Sequence, residues 1–273
     1  MPYRADVLLD SLSPAGCRLT TFVLTYPRFV HAELLTHRLF SRNSSSSRAI
    51  PVKKLIEQVA EEAVVPVWWG KNQPGMQARE ELGLTEQEEA RRIWLSARDQ
   101  AVAAARRLVE IGGHKQIVNR MLEPWMWITV ILSGTTYENF FALRCHGDAQ
   151  PELRTLAEMM REAYAASTPE AVPAGTWHLP FMRDDDRRLP LDVQRKIAVA
   201  RCARVSYLTH FGKRDIEKDV DLYERLLVDR HMSPFEHVAV ASLEPIPDGN
   251  FVGWKQYRSL VESGQVALGA GAP

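Results

Sequence analysis

The sequence predicts an α/β fold of the α+β kind, a mixed sheet with long helices in one compact domain. Three observations lead there. Residues 17–25 (CRLTTFVLT) are a β-branched, apolar run that stops before Pro27, as a strand does. Residues 85–111 and 151–166 carry apolar residues at helical spacing over many turns. The chain has 273 residues and 45% hydrophobic content, enough to bury a sizeable core.

The elements follow in order. A helix is expected from about Arg28 to Phe40, then a polar cluster, SRNSSSSR, too rich in serine to continue it. Residues 52–63 read as a helix with Leu55, Ile56, Val59, Ala60 and Ala63 on one face. Residues 64–83 form a structured loop in which Trp68 and Trp69 read as core anchors; the 68–78 stretch is expected to cover the active site. The helix from Thr85 to Ile111 opens on a capping box, Thr85 with Glu88. Its stripe is Ile93, Ala97, Ala101, Ala104 and Leu108, and Gly112 and Gly113 stop it. An apolar segment spans 116–144. The helix 151–166 has Pro at its first turn and turns Leu153, Leu156, Ala157 and Met160 inward. Helices are expected near 190–203 and 216–229, a strand at 237–246, and disorder at 267–273. Residues 1–172 are read as the core, 173–190 as a linker and 191–273 as a further segment of the same domain.

Composition excludes several function classes. Basic and acidic residues balance at 34 each, so nothing points to a nucleic acid polymer or a membrane surface. No apolar run suits a signal peptide or a membrane span. The three cysteines, Cys17, Cys145 and Cys202, lie far apart without metal spacing, which suits a reduced, cytoplasmic protein. The run MRDDDRR at 182–188 reads as a solvated turn. The run HMSPFEH at 231–237 lacks the helical geometry of a zinc site, so no metal is expected.

Four stretches carry chemistry. Residues 36–48 hold three arginines, a histidine and several hydroxyls, suited to a phosphate, or else to an ordinary polar loop with caps. Arg120 and Arg144 each sit on an apolar stretch, where an arginine needs a partner: a buried carboxylate or a ligand. Residues 231–237 precede a strand. A short repeat also lays Pro27-Arg28-Phe29-Val30 over the stretch from Pro247 through Phe251-Val252 to Arg258.

These motifs together resemble the flavin-dependent thymidylate synthase (ThyX) family. Thr36-His37-Arg38, seven residues, then Ser46 resembles its Arg-His-Arg signature, with Ser41, Asn43 and Arg48 at matching places. Ala203-Arg204-Val205-Ser206-Tyr207 is similar to its ARVSF stretch, and His231 to His237 to its HETPFEH stretch. Arg120 with Pro124 is similar to its arginine followed by Leu-Pro, and Asn139 to Arg144, then Ala149-Gln150, to its NFLxLR…AQ stretch. The order is reversed, because ARVSF and PFEH come first in the family. Circular permutation with duplication of the strand–helix unit would account for both the order and the repeat. It would place Arg258 where the signature's first arginine, here Thr36, is missing. Two further departures are Ser44 for glutamate and Glu33 for glutamine, both near the nucleotide.

The resemblance implies an enzyme that transfers a one-carbon unit from methylenetetrahydrofolate to carbon 5 of a pyrimidine deoxynucleotide, dUMP to dTMP in the first place. FAD is the implied cofactor, NADPH and the folate are cosubstrates, and the assembly is a homotetramer. No cysteine nucleophile is needed, and none sits in a suitable setting. Ser46, Ser47 and Arg48 are expected at the phosphate or sugar, with Glu33 and Ser44 also at the substrate. Arg120 and Arg144 are expected at the base, and Arg144, Arg120 and Ser46 carry catalysis. His37, Arg38, Asn43, Ser133, Asn139, Ser206, His231, Ser233 and Arg258 are expected to line the flavin. Changed polar groups at the substrate leave other readings open: methylation or hydroxymethylation of dCMP or a modified dUMP, a non-catalytic flavin- and nucleotide-binding protein, or a plain α/β interaction domain.

Overall fold

The computed structural model describes residues 3–212 and 215–265. Two strands frame the start of the chain, the first of them absent from the sequence reading. β1 (Arg4–Leu12) pairs antiparallel with β2 (Arg18–Pro27), which runs two residues past the expected strand end to include Pro27. The expected helix over 28–40 is one short turn of 3₁₀ helix (Arg28–Val30) followed by α1 (His31–Leu34). The chain then doubles back: Arg42 donates to the carbonyls of Leu35 and His37, both at 3.0 Å, and Phe40 inserts into the core. The serine-rich cluster opens as an edge strand, β3 (Ser41–Ser44).

Beyond it lie α2 (Val52–Glu61), α3 (Leu84–Glu110) and α4 (Lys115–Val118), then a 3₁₀ segment (Asn119–Trp125) and β4 (Trp127–Gly134). α2 buries Leu55, Ile56 and Val59 as its periodicity requires. α3 has the expected extent and stops at Gly112, whose φ of 87° only glycine adopts without strain. Its N-cap is Gly83 with no side-chain bond, so the Thr85–Glu88 capping box does not form. Its inward face is also rotated from the expected stripe. Trp94, Ala101, Val102, Ala105 and Leu108 pack inward, while Ile93 is 57% exposed. The reason is Trp94, whose indole donates to the carbonyl of Val64 at 2.8 Å and fixes the register.

α5 (Glu138–Arg144) and α6 (Pro151–Ala166) complete the first half, α6 burying Leu153, Leu156, Ala157 and Met160. Residues 173–190 are built into the fold rather than spanning it. After β5 (Glu170–Ala171) comes β6 (Trp177–His178), and His178 is buried. Within MRDDDRR, Asp186 is buried against Arg201 at 2.5 Å, so the turn is not wholly solvated. α7 (Leu191–Arg204) and α8 (Ile216–Val228) match the two expected helices. The strand expected at 237–246 shortens to β7 (Ala239–Ala241). The chain continues through β8 (Pro247–Asp248), β9 (Phe251–Val252), β10 (Trp254–Gln256) and α9 (Tyr257–Glu262). Gly253, at φ 72°, lets this segment lie on Cys17, 2.7 Å from where its own Cβ would stand. The disorder expected at 267–273 lies outside the described residues.

The main sheet has the order β3-β4-β2-β1-β5, antiparallel except where β5 joins β1. Alternation gives it two unlike faces. Phe22, Leu24, Tyr26, Ile128, Val130 and Leu132 meet α6 and the aromatic side chains Phe40, Tyr137 and Phe140. Val23 and Ile131 on the other face meet Cys202 and Val205 of the C-terminal segment. That segment thereby packs directly on the sheet. The two copies of the sequence repeat differ in form: Arg28-Phe29-Val30 are a 3₁₀ turn and Phe251-Val252 are extended.

Candidate functional site

The site gathers at the β3 edge. The pleat sends Arg42 and Asn43 to opposite faces of the sheet, and each organises one cluster. On the α5 side, Arg144 Nε donates to His37 Nε2 at 2.8 Å and its Nη2 reaches the Thr36 hydroxyl at 3.3 Å. Thr36 in turn donates to the Glu33 carbonyl at 2.7 Å. The acceptor role of Nε2 puts the His37 proton on Nδ1. Burial first, then Arg144 and Arg42, lowers the His37 pKa to about 4, so the ring is neutral and available as an acceptor. Burial raises the Glu33 carboxyl above its ordinary value, against the pull of Arg144.

A second cluster centres on Glu123. One carboxylate oxygen, Oε1, receives the Ser47 hydroxyl at 3.0 Å, Arg28 Nη2 at 2.9 Å and Arg120 Nη1 at 3.4 Å. Beside it is a cavity of about 370 Å³ lined by Arg28, His31, Leu35, Glu123 and Pro124 among others. Arg28 Nε is buried and finds no partner among the described residues. His31 bonds the Tyr26 hydroxyl at 2.7 Å, and burial with the charges of Arg28 and Arg42 lowers its pKa to about 4. His31 therefore links the two clusters through the arginines acting on it.

The third cluster lies on the α7 side. Asn43 donates to the Cys202 carbonyl at 3.1 Å and accepts from the Ser233 hydroxyl at 3.1 Å. The Ser46 amide donates to the Ser206 carbonyl at 3.0 Å. The stretches 36–48 and 203–237 thus meet in space, despite their order in the chain. His231 is exposed next to this contact. Arg258 lies beside it, paired with Glu236 at 2.6 Å and Glu262 at 3.0 Å, and Glu236 also acts on Arg42.

Not every expected site residue joins. Arg38, Arg48 and Asn139 are exposed, and Ser44 is half-buried on β3. Ser133 stands apart. It is fully buried, its hydroxyl held between Thr21 at 2.7 Å and His237 at 2.9 Å, which leaves it no surface for a ligand. Ser133 and His237 belong to a buried chain, Ser11–His178–Thr21–Ser133–His237, that ties the main sheet to β6. The loop expected as a lid packs inward at its start: Trp69 meets Trp94, and the Val67 amide donates to Glu152 at 2.9 Å. Sequence reasoning missed Arg28, Glu123 and Glu236. The signal was present for Glu123, which stands between Arg120 and Pro124 inside a stretch already singled out.

Arginine-rich clusters at a sheet edge, with neutral histidines between them, define an α/β protein built to hold anionic, hydrogen-bonding ligands. The sequence model of the family described as thymidylate synthase complementing protein matches residues 11–170, more than half of the chain, and the chain belongs to that family. It is a flavin-dependent, thymidylate-synthase-like methyltransferase. Its fold is similar to that of the UMP/dUMP methylase PolB from Streptomyces cacaoi bound with 5-Br UMP. That likeness has a TM-score of 0.50 at 18% identity and covers 60% of this chain and 89% of the other. A PolB structure with 5-Br dUMP gives 0.45 at 23% identity, covering 54% and 67%. Thymidylate synthase X from Helicobacter pylori with FAD and dUMP gives 0.39 at 16% identity, with the same coverage. A search of curated proteins finds no match. No helix among the described residues is long and apolar enough to cross a membrane.

Proposed function

We propose that this protein transfers a one-carbon unit from methylenetetrahydrofolate to carbon 5 of a pyrimidine nucleotide, with dUMP to dTMP as the leading reaction. The observation that carries the reading is the pair of arginine clusters at the β3 edge, in a chain of this family. Glu123 orients Arg28 and Arg120 beside Ser47, a donor set suited to a phosphate. Neutral His37 holds the Arg144 guanidinium in place, where it would stabilise negative charge developing on the pyrimidine ring.

The donor chemistry fits a flavin. Ser233 bonds Asn43 and His231 is exposed two residues before it, an imidazole and a hydroxyl beside an amide; Arg38 and Asn139 are exposed and add a guanidinium and an amide suited to a pyrophosphate and to a ring edge rich in nitrogen and oxygen. When bound, FAD supplies the hydride after reduction by NADPH. Leu35, Leu39 and Leu143 are exposed near the site, which suits burial between subunits of a homotetramer.

UMP is a second acceptor to consider, because PolB, whose fold is similar, is a UMP/dUMP methylase. The test is incubation of the purified protein with FAD, NADPH, methylenetetrahydrofolate and dUMP, UMP or dCMP in turn, with product mass as the readout. A gain of one methyl group on dUMP supports the leading reading, and a gain on none of the three sinks it.

A further inference from the structure

A larger cavity, about 730 Å³, lies on the sheet face opposite α6 and shares no lining residue with the nucleotide and flavin assignments. Thr25 and Thr129, 3.3 Å apart, line its floor. α2 contributes Lys54, Glu57, Gln58 and Glu61, and the turn after Ser206 contributes Leu208, His210 and Phe211. Tyr3 and Arg4 close one side, with the Arg4 guanidinium 5.4 Å from the centre of the Phe211 ring.

Three features mark a built site. First, Tyr3 Oη, Gln58 Nε2 and His210 Nδ1 are buried and find no partner among the described residues, and all three residues line this one cavity. An unpaired buried polar group is costly, and a hydroxyl rotor, an amide and an imidazole can each turn onto a seated ligand. Second, Leu208 holds a left-handed φ of 56°, strain that brings His210 and Phe211 to the wall. Third, the Phe211 ring is 54% exposed, tilted at 50° against His210 with ring centres 4.5 Å apart, so that despite the Arg4 guanidinium over it more than half of the aromatic surface stays accessible.

We propose that this cavity binds a purine nucleotide. The aromatic wall takes a flat ring by stacking, and the Gln58 amide meets a ring nitrogen or carbonyl. The carboxylates of Glu57 and Glu61 accept from an exocyclic amino group, and Lys54 at the rim meets the phosphate. A purine suits the space better than a pyrimidine, since this cavity is about twice the 370 Å³ of the one beside Glu123. The floor also touches the active-site loop: the Ser45 amide donates to the Thr129 carbonyl at 2.8 Å, and Thr129 N to the Ser45 hydroxyl at 3.1 Å.

The test is calorimetric titration of the whole protein with guanosine 5′-monophosphate and adenosine 5′-monophosphate, with and without saturating dUMP and FAD. Gln58→Ala and Phe211→Ala are compared after thermal melts show that both stay folded. Phe211→Ala guards the test, because so exposed a ring contributes little to folding. Binding of either nucleotide that persists with dUMP and FAD present, and weakens by about tenfold in the two variants, is expected. No binding up to about 1 mM, displacement by dUMP or FAD, or unchanged affinity in both variants overturns the proposal. The outcome is independent of whether the chain methylates dUMP.

Discussion

Arg144 donates its Nε–H to Nε2 of His37, and this bond requires a neutral histidine protonated on Nδ1. His37 then acts as a positioning residue for the guanidinium. His37→Ala frees Arg144 to adopt other rotamers, which should lower kcat about tenfold to a hundredfold while KM changes little. Arg144→Ala should abolish turnover with flavin still bound. Steady-state kinetics and the visible spectrum read both outcomes. Retained turnover in Arg144→Ala would count against its role.

The Arg28–Glu123 pair yields a different signature. Glu123→Gln keeps the shape but weakens the hold on Arg28, Arg120 and Ser47. Nucleotide KM should rise about tenfold with kcat nearly constant. The effect should vanish when binding of the free nucleoside is compared, because the phosphate is what these groups are proposed to meet. An equal loss for nucleotide and nucleoside would remove the phosphate assignment.

His178 and His237 set the acid limit of the fold. Both are fully buried, and burial lowers each pKa from 6.5 to about 3. The unfolded chain takes up these protons near pH 6.5 and the native state only near 3. Between those values the unfolded state holds more protons, so stability falls as pH falls. Each histidine contributes a slope of at most about 1.4 kcal/mol per pH unit in that window. Urea denaturation between pH 7 and pH 5 should show a falling midpoint. His237→Asn should flatten the slope, and a pH-independent midpoint would contradict the account.

Helices were legible where one periodic face meets one neighbour. α6 matches residue for residue, with Leu153, Leu156, Ala157 and Met160 inward. α3 was legible in extent but not in register, because Trp94 bonds a carbonyl 30 positions away. The serines of β3 form a strand only because β4 offers an unpaired edge, a partner that local composition does not reveal. The same holds at the site. The family resemblance named His37, Asn43, Arg120 and Arg144, whereas Arg28 and Glu236 owe their place to pairs across the fold. Ser133 looked like a ligand group only because a hydroxyl's buried partners, Thr21 and His237, are invisible in a linear motif.

Arg201 fixes the C-terminal segment against residues 173–190. It is 4% exposed, bonds Asp186 at 2.5 Å, Asp219 at 3.1 Å and the Phe181 carbonyl at 2.7 Å. Arg201→Ala would leave two carboxylates buried without this cation, at a cost of about 3–5 kcal/mol. Arg204 still pairs with Asp219 and the Arg183 amide still donates to Asp186 at 3.0 Å, so the loss should fall at the low end of that range. Thermal melting should drop by several degrees, and the double variant Arg201→Met with Asp186→Leu should recover part of it.

Arg258 tests how the missing signature arginine is replaced. Its guanidinium bonds Glu236, and Glu236 also acts on Arg42, the residue that ties down the carbonyls on either side of Thr36. Removing Arg258 leaves Glu236 to compete for Arg42 and loosens the turn that presents His37 and Arg38. Arg258→Ala should therefore purify with less flavin and bind added FAD about tenfold more weakly, and Arg258→Lys should restore part of that affinity. Glu236→Gln supplies the control: if the effect runs through Arg42, this variant should bind flavin more tightly than Arg258→Ala, since no uncompensated carboxylate remains. Flavin affinity unaltered in Arg258→Ala would remove Arg258 from the site, and leave Thr36 with its bond to Arg144 as the whole of what stands in the arginine's place.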